Sequence, residues 1–210
     1  MDDFQRNQPP RQVPGGRIRP STHVDRQDLP GARARERVSA ILQVHDLEES
    51  ERVLSELTDA DEPILRQIAR EGAISGANPI IRYKAISALA RRPMADNLNL
   101  LADLARFGED FYVRGHAALA LGQTGLVANL PVLLPLLDAP EHFERAAASR
   151  ALEMIASRAS VAAVEAHALA VGGPEAAERV RAALSRARGA REGRTGERAE
   201  SEGREKRPDT

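Results

Sequence analysis

The side chains that most often carry enzyme chemistry are either absent from this sequence or lack the spacing of a catalytic or metal site. The chain has no cysteine, which removes thiolate metal ligands and cysteine nucleophiles. None of the five histidines has a second metal-type ligand four residues away in an apolar setting. The carboxylate pairs Asp59/Asp61 and Glu109-Asp110 fall where helices are expected to begin, and there negative charge caps free N–H groups. The sequence therefore predicts no catalytic residue, no cofactor and no metal site.

Three arginines form the most regular polar pattern. Arg82, Arg114 and Arg145 recur at separations of 32 and 31 residues. Small or apolar residues follow each arginine by three, six and seven positions, which is the spacing of one helix face. These residues are Ala85, Ala88, Leu89, Ala117, Ala120, Leu121, Ala148, Ala151 and Leu152. This arginine ladder could bind phosphates, or it could tie repeated units together by pairing with acidic residues of the adjacent turn or unit.

The helices that must carry these residues are clearest in 113–137. Small and apolar residues at helical spacing predict a first helix, and Gly122 and Gly125 are expected to end it because glycine tolerates the left-handed C-cap geometry. A leucine-rich second helix follows, with Pro131 in its first turn, where the missing N–H costs little. Pro135 removes a backbone hydrogen bond inside that helix and predicts a local bend.

The segment V-R-x-x-A-A-x-A-L-G-x-x-G, followed by L-P-x-L-L-x-L-L, resembles a HEAT repeat of the short bacterial subtype named after phycobilisome-lyase proteins. The match is close in 113–137 and looser in 80–104 and 143–164, where Glu144 replaces the usual valine. The resemblance implies an all-α fold, a right-handed α-α superhelix (a solenoid) of about four helix pairs, and usually a protein-binding role. It also favours the structural interpretation of the arginine ladder. A minority of relatives attach bilin pigments or bind nucleic acid.

Composition divides the chain into three parts. Residues 1–33 are rich in proline, glycine and arginine without a period, so a disordered tail is predicted. The alternative there is a short docking arm with Phe4 as its anchor. Residues 34–188 are the predicted solenoid, and 189–210, which carry mixed charge and little apolar surface, are predicted to be a second disordered tail.

Within the solenoid, four further features carry expectations. Residues 49–57 are predicted to be the first helix of a degenerate unit, and 175–188 are predicted to cap the last apolar face. Tyr112 and Phe143 occupy equivalent repeat positions, which favours packing between repeats over a ligand site. His116 falls on the outer side of its helix and is expected to be an exposed surface residue.

In a solenoid of this kind the second helices line the concave face. Their outward positions are the candidate protein-binding surface, and they are Gln67, Arg70, Asp103, Arg106, Val132 and Pro135. The set combines both signs of charge with two apolar side chains that are expected to be exposed. Such a mixture suits a protein partner better than a polyanion.

The net charge of −1 gives no global field for nucleic acid or an acidic membrane. No apolar run approaches the ~20 residues that span a bilayer, and no secretory signal is visible, so a cytoplasmic protein is expected. The predicted function is a non-catalytic protein-binding scaffold or adaptor with a protein partner. The two alternatives are a bilin lyase or isomerase-like protein and a nucleic-acid-binding HEAT protein.

Overall fold

The computed structural model describes residues 30–44, 47–71 and 79–205. Within these residues the chain is helical and contains no strand. The helices are α1 (Pro30–Gln43), α2 (Leu47–Leu54), α3 (Glu62–Arg70), α4 (Pro79–Ala90), α5 (Ala95–Phe107), α6 (Phe111–Thr124), α7 (Leu130–Leu136), α8 (His142–Ala159) and α9 (Val161–Glu205). Helix α9 is broken at Gly173, which divides it into a first half and a second half.

The helices pack in two layers. In the first layer α1 contacts α4, α4 contacts α6, and α6 contacts α8. In the second layer α3, α5, α7 and α9 contact one another in that order. One core runs between the layers, and alanine, leucine, isoleucine and valine fill it. The predicted all-α helical solenoid is confirmed, since each unit contributes one helix to each layer and packs on its neighbours.

Helix α6 shows how the local sequence sets helix boundaries. The Asp110 side chain accepts a hydrogen bond from the Val113 N–H at 2.8 Å and caps the start. Gly125, with φ of 73°, ends the helix in the left-handed region. Gly122 was expected to help end it but lies inside the helix. A Cβ at Gly122 would stand 2.4 Å from the Ala151 Cα atom, so this glycine permits close packing of α6 on α8.

Helix α7 is shorter than its neighbours and ends soon after a proline. Pro135 lies in the last turn, one residue before the end at Leu136. The Leu137 and Asp138 N–H groups then bond to carbonyls three residues back, at 3.3 Å each. The predicted bend is therefore replaced by helix termination, because a proline this close to the end has no further turn to distort.

The first unit differs from its prediction. Helix α1, and not segment 49–57, contacts both α3 and α4 and so occupies the first-layer position. Arg35 stands in the same relation to Val38 and Leu42, both fully buried, as the ladder arginines do to their apolar residues. The repeat spacing assigned this position to 49–57 because α2 adds residues between α1 and its partner α3. Helix α1 also begins four residues before the predicted boundary, with proline at its start, where a missing N–H costs little.

The C-terminal helix closes the stack. Gly173, with φ of 72°, turns the chain, and the second half of α9 then buries Ala176, Ala177, Val180 and Ala183. This burial is what a terminal capping helix requires. The backbone stays helical to Glu205, where disorder was predicted from residue 189, because glutamate, arginine and alanine favour helices. The rest of the predicted tails, 1–29 and 206–210, lies outside the described residues.

No single helix in the described ranges is both long and apolar enough to cross a bilayer. Helix α8 and segment 161–189 reach the required length and composition only together, and they meet at an angle of 117°.

Candidate binding surface

Each ladder arginine bonds to the chain just behind it. Arg82 donates from Nε to the Ala69 carbonyl at 2.9 Å, and Arg114 donates from Nη1 to the Gly108 carbonyl at 2.8 Å. Arg145 donates from Nη1 to the Ala139 carbonyl at 2.7 Å and also to the next carbonyl. These oxygens lie at or after the ends of second-layer helices, where carbonyls lack partners within the helix. Every ladder arginine therefore closes the end of the preceding unit.

Two of these arginines also reach forward. Arg82 forms an ion pair with Glu109, which precedes α6, and Arg114 pairs with Glu144 of α8, with 2.5 Å between Nε and Oε1. The hydrogen bond from Arg82 holds the pKa of the Glu109 carboxyl below its ordinary value. The hydrogen bond to Glu144 raises the pKa of the Arg114 guanidinium. These contacts are those of a structural ladder, because the guanidinium donors are used within the protein.

Two members of this network were missed in the sequence. Arg35 pairs with Glu71, which directly follows α3, and so repeats the contact between Arg82 and Glu109 one unit earlier. The spacing R-x-x-V-x-x-I-L from Arg35 could have identified it. Glu144 was read only as a departure from the repeat, but its side chain is 2% exposed and it is the partner of Arg114.

The candidate surface on the second layer is largely exposed, with one exception. Gln67, Arg70, Asp103, Arg106 and Pro135 have exposed side chains. The first two lie on α3 and the next two on α5, and these helices contact each other. The structure therefore places four polar side chains on adjacent helices.

The prediction for Val132 is wrong. Its side chain is 6% exposed and belongs to the core. Helix α7 has only 7 residues and contacts α5, α8 and α9, so its sides are covered as well as its inner face. Helical spacing identifies the face that points inward, but it does not show how closely neighbouring helices of the same layer approach.

An aromatic stripe crosses the outer side of the first layer. We use this name for Tyr83, Phe111, Tyr112, His116 and Phe143, which come from α4, α6 and α8. His116 stacks on Tyr83 with 4.2 Å between ring centroids and 13° between ring planes. The Phe143 centroid lies 5.3 Å from that of Tyr112 and 5.4 Å from that of His116. The stripe is therefore continuous over three units.

Packing between repeats, as expected for Tyr112 and Phe143, is what these distances describe. The expectation for His116 was wrong, because its ring is partly buried between Tyr83 and Phe143. Gly115 makes room for this arrangement, since a Cβ there would stand 2.4 Å from the Phe143 ring. Tyr112 remains 47% exposed.

Burial and one carboxylate set the protonation of the stripe. Burial is the main reason that the pKa of the His116 imidazole lies below its usual range, and the Asp110 carboxylate opposes this shift. Burial likewise raises the pKa of the Tyr83 hydroxyl, and Asp110 adds to that effect. Burial therefore favours the uncharged form of the His116 imidazole over the imidazolium.

One open cavity of about 570 Å³ lies where α4, α6 and α8 end. Its lining is mixed, with Ser87, Gln123, Thr124, Arg91 and Arg158 beside three apolar residues. A general base or a nucleophile with a paired acid is not among these side chains. Across the described residues, no group of three or more His, Asp or Glu side chains is placed to hold a metal ion.

No curated protein matches the chain. A family model described as HEAT repeats matches residues 68–153, from the end of α3 into α8. The matched segment contains the three ladder arginines, the stack of α4 on α6 and α8, and five of the six candidate surface positions, all except Gln67. Residues 68–153 are therefore similar to HEAT repeats.

Proposed function

We propose that this chain is a non-catalytic protein-binding scaffold that holds a partner protein on the second-layer surface of α3 and α5. HEAT repeats are commonly protein-interaction scaffolds. This supports the class of function, while the position of the surface rests on the geometry of this chain. Fold alone does not specify function, so the surface has to be argued from its residues.

The observation that carries the proposal is a group of exposed side chains without a visible role in stability. Arg70, Asp103 and Arg106 are exposed, carry both signs of charge and lie on two helices that contact each other. The ladder arginines, in contrast, donate hydrogen bonds to backbone carbonyls of the protein itself. Exposed charges of both signs on a rigid surface provide electrostatic complementarity to a protein, which sets specificity and the rate of association.

The test is affinity purification from native lysate with the full chain as bait, followed by mass spectrometry. A charge-reversed variant carries Asp103→Arg and Arg106→Glu. A matched control carries Glu175→Arg and Arg186→Glu, which are exposed positions on the second half of α9. We expect a stoichiometric protein partner with the unchanged chain and the control, and its loss with the charge-reversed variant.

Two results would contradict this proposal in different ways. A partner that the charge-reversed variant retains would show that the α3 and α5 surface is not the binding site. Recovery of nucleic acid or a coloured small molecule without any protein would remove the scaffold function itself and support one of the two alternatives from the sequence.

A further inference from the structure

Most of the phenylalanine and tyrosine side chains of this protein are concentrated in the aromatic stripe. The sequence has four phenylalanines and two tyrosines, and four of these six rings lie in the stripe. The buried core is filled by aliphatic side chains and alanine, and the rings are not members of it, although Tyr83 packs against it. They lie instead on the outer side of three consecutive helices, with Tyr112 half exposed. Aromatic side chains concentrated on a surface are typical of binding sites.

The edge of the stripe is acidic. Asp110 and Glu109 precede α6, and Glu141 precedes α8. The Asp110 carboxylate is close enough to influence both Tyr83 and His116. Two arginines lie beside these carboxylates, and both are engaged in pairs. Arg82 is 7% exposed and pairs with Glu109, and Arg114 is 26% exposed and pairs with Glu144. Asp110 and Glu141 have no ion pair among the described residues. These two carboxylates and the ring faces are a combination that binds arginine through cation–π and charge interactions and proline through ring packing.

One segment of this chain has the complementary chemistry. Residues 4–24 contain four arginines and four prolines and no aspartate or glutamate. Proline-rich segments dock into aromatic-lined surfaces with a small loss of conformational entropy. The positive charge of this segment matches the acidic edge of the stripe, and Phe4 provides a further ring.

The segment also joins the fold beside the stripe. It leads into Pro30 at the start of α1, and α1 packs against α4, which carries Tyr83. Arg35 near the start of α1 pairs with Glu71 just after α3, and Arg82 near the start of α4 bonds to Ala69 of α3, so both helices begin near the end of α3. Packed helices lie 8–10 Å apart, so α6 is roughly 20 Å away, and the six residues from 24 to 30 span about 20 Å when extended.

From this complementarity and reach we propose that residues 4–24 dock on the aromatic stripe of the same molecule. The tether gives the segment an effective concentration of about 1 mM at the stripe, so even a weak contact is occupied. A docked segment covers Tyr112 and competes with any other ligand for this face. This contact is independent of the proposed scaffold surface, which lies on the other layer.

A nitroxide label tests the contact in the full chain. Because the chain has no cysteine, Gln12→Cys creates a single labelling site. Nuclear magnetic resonance then measures the signals of the Tyr112 and His116 rings with the label oxidised and reduced. We expect the oxidised label to remove most of their intensity, while a label at Ser201→Cys leaves them unchanged.

Variants of the same labelled chain show whether the named residues make the contact. Replacing Arg6, Arg11, Arg17 and Arg19 by glutamine is expected to restore the ring signals. Tyr112→Ala is expected to restore the His116 signal, whereas Phe107→Ala, a 78% exposed ring outside the stripe, should not. Circular dichroism checks that each variant remains folded.

Three outcomes would overturn the proposal. The ring signals could keep their intensity with the label at residue 12, which would show that no contact forms. They could remain broadened in the arginine and Tyr112 variants, which would assign the contact to other residues. Broadening that appears only when labelled and isotope-enriched chains are mixed would place the segment on a second copy instead of its own molecule.

Discussion

At Glu144 a carboxylate occupies the repeat position that holds Ile81 and Val113 in the two preceding units. Its side chain is buried, and one of its oxygens has no hydrogen-bond partner among the described residues. The pair with Arg114 compensates for that burial only while both partners are present. Buried ion pairs are costly to break from one side, although an apolar replacement of the carboxylate is often tolerated.

Replacing Arg114 and replacing Glu144 should therefore change the stability of the protein by different amounts. We expect Arg114→Ala to lower the free energy of unfolding by about 3 kcal/mol, because it leaves Glu144 buried without its partner and also removes the bond to Gly108. Glu144→Val restores the apolar residue of the repeat and should cost less than about 1 kcal/mol. Urea unfolding of both variants measures the difference.

The double variant Arg114→Ala with Glu144→Val serves as the control. It should recover most of the stability that Arg114→Ala loses, since no unpaired carboxylate remains. Equal losses for the two single variants would show that the buried pair is not the reason for the effect.

Residue-scale predictions from the sequence succeeded where a repeat position fixes the environment. The ladder arginines were identified from their spacing alone, and their contacts follow from where that spacing places them. The burial of His116 and Val132 was not predictable, because it depends on the rings and helices of neighbouring units. Spacing along one helix contains no information about how closely the next helix approaches.

At the scale of helices, the contact between α6 and α8 depends on side chains that are missing or small. Gly122 faces the backbone of Ala151, and Gly115 faces the ring of Phe143. Such close approach explains why alanine dominates the first-layer core at Ala117, Ala118 and Ala148. A larger residue at Gly122 has no space to enter, since the nearest atom, the Ala151 Cα at 2.4 Å, belongs to backbone.

We expect Gly122→Ala to destabilise the fold by about 1–3 kcal/mol, as overpacking in a close-packed interior does. This loss should appear even though alanine is the better helix former by about 1 kcal/mol. Thermal unfolding followed by circular dichroism measures it.

Gly189→Ala is the matched control, because nothing lies within 4 Å of a Cβ at that position of α9. It should leave stability unchanged or slightly higher. If Gly122→Ala behaved like this control, the close approach of α6 and α8 would not be a constraint on the sequence.

At the scale of the whole molecule, the stack depends on its terminal helix. The second half of α9 buries Val180 and Ala183 completely, and Arg181 pairs with Glu165 of the first half at 3.2 Å. Arg179 donates to the Leu134 carbonyl at 2.6 Å and so reaches back to α7. A repeat array needs such a cover, because each unit otherwise presents one apolar face to water.

Two truncations separate the covering part of α9 from the remainder. Ending the chain after residue 172 removes several buried side chains, worth about 1.5–3 kcal/mol each when large, and should lower the melting temperature by ~10 °C. Ending it after residue 189 removes no described buried side chain and should leave the melting temperature unchanged. Equal melting temperatures for the two truncated chains would mean that the second half of α9 does not cover the stack.

The two-layer architecture was predictable from the sequence because the same pattern of apolar residues recurs in several units. The assignment of repeat positions failed for the first unit, where α2 interrupts the period between α1 and α3 and the spacing placed the first helix at 49–57. The boundary inside α9 falls at a glycine followed by a proline, and glycine adopts the backbone geometry of Gly173 easily. Partner binding has no comparable periodic signal, so the candidate surface followed only from which faces the fold leaves exposed.

The aromatic stripe also gives the molecule an optical signal of its own. The chain has no tryptophan, and its only two tyrosines, Tyr83 and Tyr112, both lie in the stripe. Ultraviolet fluorescence of the protein therefore originates from this one face, where Tyr83 stacks on an imidazole. Any molecule that covers the face can be followed by the emission of the unmodified chain, without an attached dye.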